Sequence, residues 1–173
     1  LEDTCLEATC LEDTCLDESI DILLWALSQH DPEGWMDFDA AQLHEMAKLI
    51  DQNDFEFKVH LDHYKYADRF PECSQQVYRD SCALFLAILE TRLNAHRFLF
   101  AARVSYADIA IISFIRQFSK VDGIWFAQSP YPKLKIWLDE FTKGPLFLSI
   151  MNKYKAWNPG DEPLTGVTFS KYK

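Results

Sequence analysis

The sequence predicts an all-α fold, a bundle of about five to seven helices joined by short loops. Three observations carry this. Apolar residues return at helical spacing in stretch after stretch from Asp17 onward, cap and turn residues fall between the stretches, and nothing supplies a set of alternating strands. Apolar residues make up 49% of the 173, with 13 Phe, 7 Tyr and 5 Trp, the composition of a globular domain that buries a core without external staples.

The chain opens LEDTCLEATCLEDTCLDES, almost one pentad written three times. A period of five matches neither helix nor strand, and so few copies would make about one coil of a β-solenoid. Residues 1–16 therefore read as a short tandem duplication, extended or irregular in conformation.

In the first helix, Ile20, Leu23, Leu24 and Leu27 fall at i, i+3, i+4 and i+7, and the DPEG turn at Asp31 ends it. A second stretch starts after Asp39 and runs through Leu43, Met46, Ala47 and Ile50; after a weak point at Asn53 it continues through Phe57, Leu61 and Tyr64, and Pro71 closes it. A third, from Ser74 to Asn94, carries Val77, Leu84, Ile88 and Phe85, Leu89, Leu93 on adjoining rows, with the charges of Arg79, Asp80, Glu90 and Arg92 mostly on other faces. The fourth starts at Ser105 and has apolar residues pointing nearly all round its axis, which predicts a central helix wrapped by others. Ser105 and Asp108 have capping-box spacing at its start. A fifth begins near Pro132 with Leu134, Trp137, Leu138 and Phe141 on one face, and Lys143-Gly144-Pro145 ends it. A sixth passes through Phe147, Ile150 and Met151; residues 17–158 thus form the helical domain and 159–173 an irregular tail, with Val167 and Phe169 able to form a short extended piece.

A formal charge of -10 without a basic stripe argues against nucleic acid as a partner. No apolar run reaches the roughly 18 to 20 residues of a membrane span, and the acidic start lacks the plan of a secretory signal, so the expected location is the cytoplasm. Five cysteines without a CxxC or Cys/His ligand spacing read as reduced thiols. His60 and His63 flank Asp62 on one helix, but no third ligand is in view and the pair reads as a solvated face, so no metal is expected. Neither Cys73 nor Cys82 has a histidine placed as its base, so no catalytic residue is named.

The DES tripeptide opening the first helix and the S-x-A-D box of Ser105 to Asp108 opening a buried one coincide with ADIAIISFIRQFSKVDGIWF, YPKLKIWLDEF, FLSIMNKY and WNPGDEP. Together they resemble the glutathione transferase superfamily, specifically the all-helical C-terminal half of bacterial cytosolic members, over Asp17 to about Pro163. In that family the helical half follows a thioredoxin-like half, which carries a thiol-activating Tyr, Ser or Cys and a cis-proline loop. No run before Asp17 shows strand alternation, so the resemblance implies a glutathione site cut back to its last residues.

On the same resemblance, Glu18 and Ser19 are the vestigial glutathione-binding pair, receiving the γ-glutamyl end at a helix start. The competing reading is that Ser19 simply caps its helix. Tyr64, Tyr66, Arg69, Arg116 and Phe118 are the family-implied lining of a hydrophobic pocket, against the reading that the aromatics are core and the arginines pair with nearby acids. The expected function is a free-standing helical binding or interaction module without transferase activity or a cofactor, glutathione being the ligand the family would bring. A homo-oligomer is expected through faces that a missing half leaves open, with Leu24 and Trp25 on the buried surface. The alternatives are a glutathione-dependent transferase or reductase, completed by a partner chain or using Cys15 for its lost thiol chemistry, and a folded gene remnant with no selected role.

Overall fold

A computed structural model describes residues 9–11, 14–151, 156 and 158–161, with side chains from Leu16 onward. Cys5, Val167 and Phe169, and most of the tail, lie outside the described residues.

The described part of the pentad segment, expected to be extended or irregular, is extended. Strands β1 (Thr9–Leu11) and β2 (Thr14–Leu16) pair antiparallel, with Cys10 opposite Cys15. A repeat of five makes this available, since three strand-forming residues plus two connecting ones bring one TCL tripeptide back against the next.

Helix α1 (Ser19–Gln29) follows. A loop over residues 31–38 leads to α2 (Ala40–Gln52), which passes through a π-helical turn (Asn53–Phe57) into α3 (Lys58–Lys65). The weak point at Asn53 is therefore a change of helical pitch and not an end. A 3₁₀ turn (Ala67–Arg69) precedes the long α4 (Gln75–Ala95). Then come α5 (Tyr106–Val121), α6 (Gly123–Gln128), α7 (Pro132–Lys143) and α8 (Pro145–Ile150). Helix α6, unforeseen in the sequence, is started by Asp122, whose carboxylate accepts the Trp125 N–H at 2.9 Å.

The core lies among α2, α3, α4, α5 and α7. Phe118 of α5 is at its aromatic centre, with ring centroids 6.0 Å from Phe57, 5.3 Å from Tyr64, 5.9 Å from Trp125 and 6.2 Å from Phe126. On α4 the buried row is Tyr78, Cys82, Phe85, Leu86, Leu89 and Leu93, whereas Val77 and Leu84 face outward. Glu90, expected on an outer face, is buried beside that row. Its carboxylate accepts the backbone N–H of Lys133 at 3.1 Å and of Leu134 at 2.8 Å, capping the first turn of α7 from a neighbouring helix.

The loop over residues 31–38 is held by side chains at both ends. Asp31 accepts the N–H groups of Trp35 at 2.9 Å and Met36 at 2.8 Å. Arg103 donates to the carbonyls of Gly34 and Asp37 and lies over the Phe38 ring. Gly34 has φ +66, a backbone conformation that selects glycine, and a Cβ there would stand 3.2 Å from Arg103 Nη1.

Candidate functional site

The candidate site is an open cleft between α1, α2 and α5. Helix α1 starts at Glu18, which is extended (φ −111, ψ 152), and Asp21 Oδ2 accepts the Glu18 N–H at 3.3 Å. Glu18 is therefore the N-cap and Ser19 the first helical residue, which corrects the reading of Ser19 as the cap. One turn of α1 turns Ser19, Ile20 and Leu23 toward the cleft.

Helix α2 is fixed at its start by a reciprocal box, in which Asp39 Oδ1 accepts the Gln42 N–H at 2.8 Å and Gln42 Oε1 accepts the Asp39 N–H at 3.4 Å. Its far end contributes Ile50, and the π turn then contributes Asp54. Single π turns of this kind frequently occur at functional sites. Asn53 is buried, donates from Nδ2 to Asp54 Oδ1 at 2.8 Å, and leaves its own Oδ1 without a partner among the described residues. An unpaired buried amide oxygen costs about 1–3 kcal/mol.

The third wall is α5, through Ile109, Ala110, Ser113 and Phe114. These fall at i, i+1, i+4 and i+5, one strip of a helix otherwise buried through Ile111, Ile112, Ile115 and Phe118. The expectation of a helix covered all round therefore holds except along this strip. The cleft has a volume of about 240 Å³.

Helix α5 is positioned by Asp108, which is fully buried. Its Oδ2 accepts the Ser105 N–H at 2.9 Å and the Ser105 hydroxyl at 2.6 Å. Its Oδ1 accepts the Leu99 N–H at 3.0 Å and the Trp137 indole N–H at 2.8 Å. Burial pushes its carboxyl above the ordinary aspartate range, and these four hydrogen bonds pull it back.

Of the residues singled out in the sequence, Ser19 lies on the cleft and Glu18 caps the helix beside it. Tyr64 and Phe118 are core, packed on each other, and burial raises the Tyr64 phenol. Arg69 stacks over Tyr66 at 4.7 Å, and Arg116 over Phe147 of α8 at 5.1 Å. None of these five lines the cleft: Tyr64 and Phe118 are used in the core, and Tyr66, Arg69 and Arg116 are held in the ring–cation contacts away from it. His63 stacks on Phe70 with centroids 4.0 Å apart. Cys73 is exposed, whereas burial pushes the Cys82 thiol up to about 12, far from a nucleophile's range. Asp54 and Ser113 escaped the sequence reading. Their signals were the helix-poor Asn53-Asp54 pair interrupting an apolar stripe, and a lone polar residue inside AIISFI.

Residues 71–140 match the family model described as the glutathione S-transferase, C-terminal domain. Among solved structures, a crystal structure of a glutathione S-transferase from Actinobacillus pleuropneumoniae is similar to this chain, with a TM-score of 0.62 at 15% sequence identity. The likeness covers 80% of this chain and 64% of that one, so the chain spans less than two thirds of that protein's length. At this identity the likeness is one of fold. No curated protein sequence matches the chain. No helix among the described residues is long and apolar enough to cross a membrane.

Proposed function

From a chain whose helical part is a glutathione S-transferase C-terminal-like domain, we propose a binding module that holds a small, largely apolar molecule and has no transferase activity of its own. The observation that supports this most is the cleft between α1, α2 and α5, whose walls are mainly Ile, Leu, Ala and Phe around a few polar groups. No cysteine is among the residues that line the cleft, and burial in the core pushes the Cys82 thiol up to about 12. The same chain presents Ile22, Leu24 and Trp25 outward on α1, and we read that surface as the contact of a homo-oligomer.

Glutathione-agarose retention together with an aryl-halide conjugation assay tests the reading. The expected result is no retention and no turnover above the uncatalysed rate. Retention and turnover that are both lost in Ser19→Ala would overturn it. A second reading is supported by the 64% coverage of the Actinobacillus enzyme: a glutathione-dependent transferase in which further polypeptide supplies the thiol-activating machinery. Turnover appearing only when a thioredoxin-like domain is added would favour that reading.

A further inference from the structure

Resting on the binding role above, we propose that the cleft takes an organic ammonium compound, a primary amine carried on a single ring or a short aliphatic body. The space fits that size. About 240 Å³ exceeds the ~150 Å³ that accommodates a benzene ring, leaving room for a short arm.

The charge of the walls selects the head group. Asp54 is the titratable residue on the lining, and Asn53 holds its Oδ1 at 2.8 Å. Among the described residues Asp54 makes no ion pair and its Oδ2 accepts no hydrogen bond, so one carboxylate oxygen is open to a donor. Ser19 and Ser113 supply the other polar acceptors on the lining.

The opposite preference, for an anion at the start of α1, meets two obstacles. Glu18 and Asp21 already stand at that N-terminus, where Asp21 accepts the Glu18 N–H at 3.3 Å and offsets the positive end of the helix. Asp54 would repel a carboxylate from the far wall. Lys58 is a cation at the rim, its Nζ 5.9 Å from the Phe114 ring centroid, but it is exposed and makes no ion pair with Asp54. The net charge of -10 further favours the approach of cations.

The test is a ¹H–¹⁵N titration of the full chain with 2-phenylethylamine, 2-phenylethanol and 3-phenylpropanoate, three probes of similar size and different charge. All binding should move the amides of Ile109, Ala110, Ser113 and Phe114. The amine should bind about five- to tenfold more tightly than the alcohol, the margin of a charge-assisted over a neutral hydrogen bond, and the carboxylate most weakly. Asp54→Asn, which keeps the acceptor for Asn53, should lower amine binding to the alcohol's level and leave the alcohol unchanged. Ser113→Leu, which fills the cleft, should abolish all three.

An amine that binds no more tightly than the alcohol overturns the proposal while leaving the binding role intact. An amine advantage that survives Asp54→Asn also overturns it, since the overall charge and not the cleft then attracts the cation. If none of the three moves the α5 amides, the binding role itself fails and this inference fails with it.

Discussion

Asp108 joins three parts of the chain through one buried carboxylate: its own helix start, the segment at Leu99 and the indole of Trp137 on α7. Four donors meet two oxygens, so an amide cannot replace it, because an NH₂ would face Ser105 donors across the same short distances. Asp108→Asn should lower unfolding free energy by about 3 kcal/mol, from the usual cost of breaking a buried network. Urea denaturation followed by far-UV circular dichroism checks this, and a loss below about 1 kcal/mol would show the network to be dispensable. The Ser105–Asp108 spacing is legible in sequence because it is local. The reach to Leu99 and Trp137, 9 and 29 residues away, and from Glu90 to Leu134, 44 residues away, is set by tertiary packing and leaves no local pattern.

Cys82 gives a second test at this scale. Burial raises its thiol from the ordinary 9.0 to about 12, so between those values the unfolded chain has released a proton that the folded chain retains. Stability contributed by this group is complete below pH 9 and falls as pH rises toward 12, by roughly 1 kcal/mol at pH 10. Burial raises the phenols of Tyr64, Tyr106 and Tyr131 in the same sense. The thiol's share is therefore read as the difference in alkaline slope between the wild type and Cys82→Ala in urea titrations at pH 8 and 10. Equal slopes would place Cys82 in contact with solvent.

Among the helices, α1 and α4 are opposites. Helix α1 has 11 residues, below the roughly 12–15 at which an isolated helix becomes even marginal, and none of them is buried. Ile20 and Leu27 pack only partly against the core, and Leu24, on the expected stripe, is 38% exposed. Helix α4 runs for 21 residues and buries seven of them. Native-state hydrogen exchange should therefore show α1 amides opening at least about a hundredfold more readily than those of α4 between Cys82 and Leu89. Equal protection would mean that α1 is part of the cooperative bundle. Periodicity found both helices, but it could not grade them, because a stripe records which residues are able to pack and not whether a neighbour arrives. The same gap explains Val77 and Leu84, which share a row in sequence and face solvent in the fold.

For the molecule as a whole, the fold was legible since most helices announce themselves by spacing and caps, whereas the cleft was not, being a space between three elements that no single stretch encodes. The wall residues Ile20, Leu23 and Ile109 are apolar side chains only partly covered beside the opening, whereas Ile50 on the same wall is buried in the core. That surplus of apolar surface also bears on assembly. Ile22, Leu24 and Trp25 are 48%, 38% and 40% exposed on one short helix. Three such side chains cover only part of the ~800 Å² per partner of a standard interface, and both copies carry a formal charge of -10. The expected association is thus weak, salt-assisted and concentration-dependent. Sedimentation velocity at tens of micromolar should show a dimer that grows with added salt, as screening relieves the mutual repulsion. Trp25→Glu should return the chain to monomer without moving the urea midpoint, because Trp25 contributes nothing to the buried core. A wild type that stays monomeric across that range would remove the oligomer from the proposed function. A midpoint shift in the variant would instead mean that α1 owes its place to Trp25.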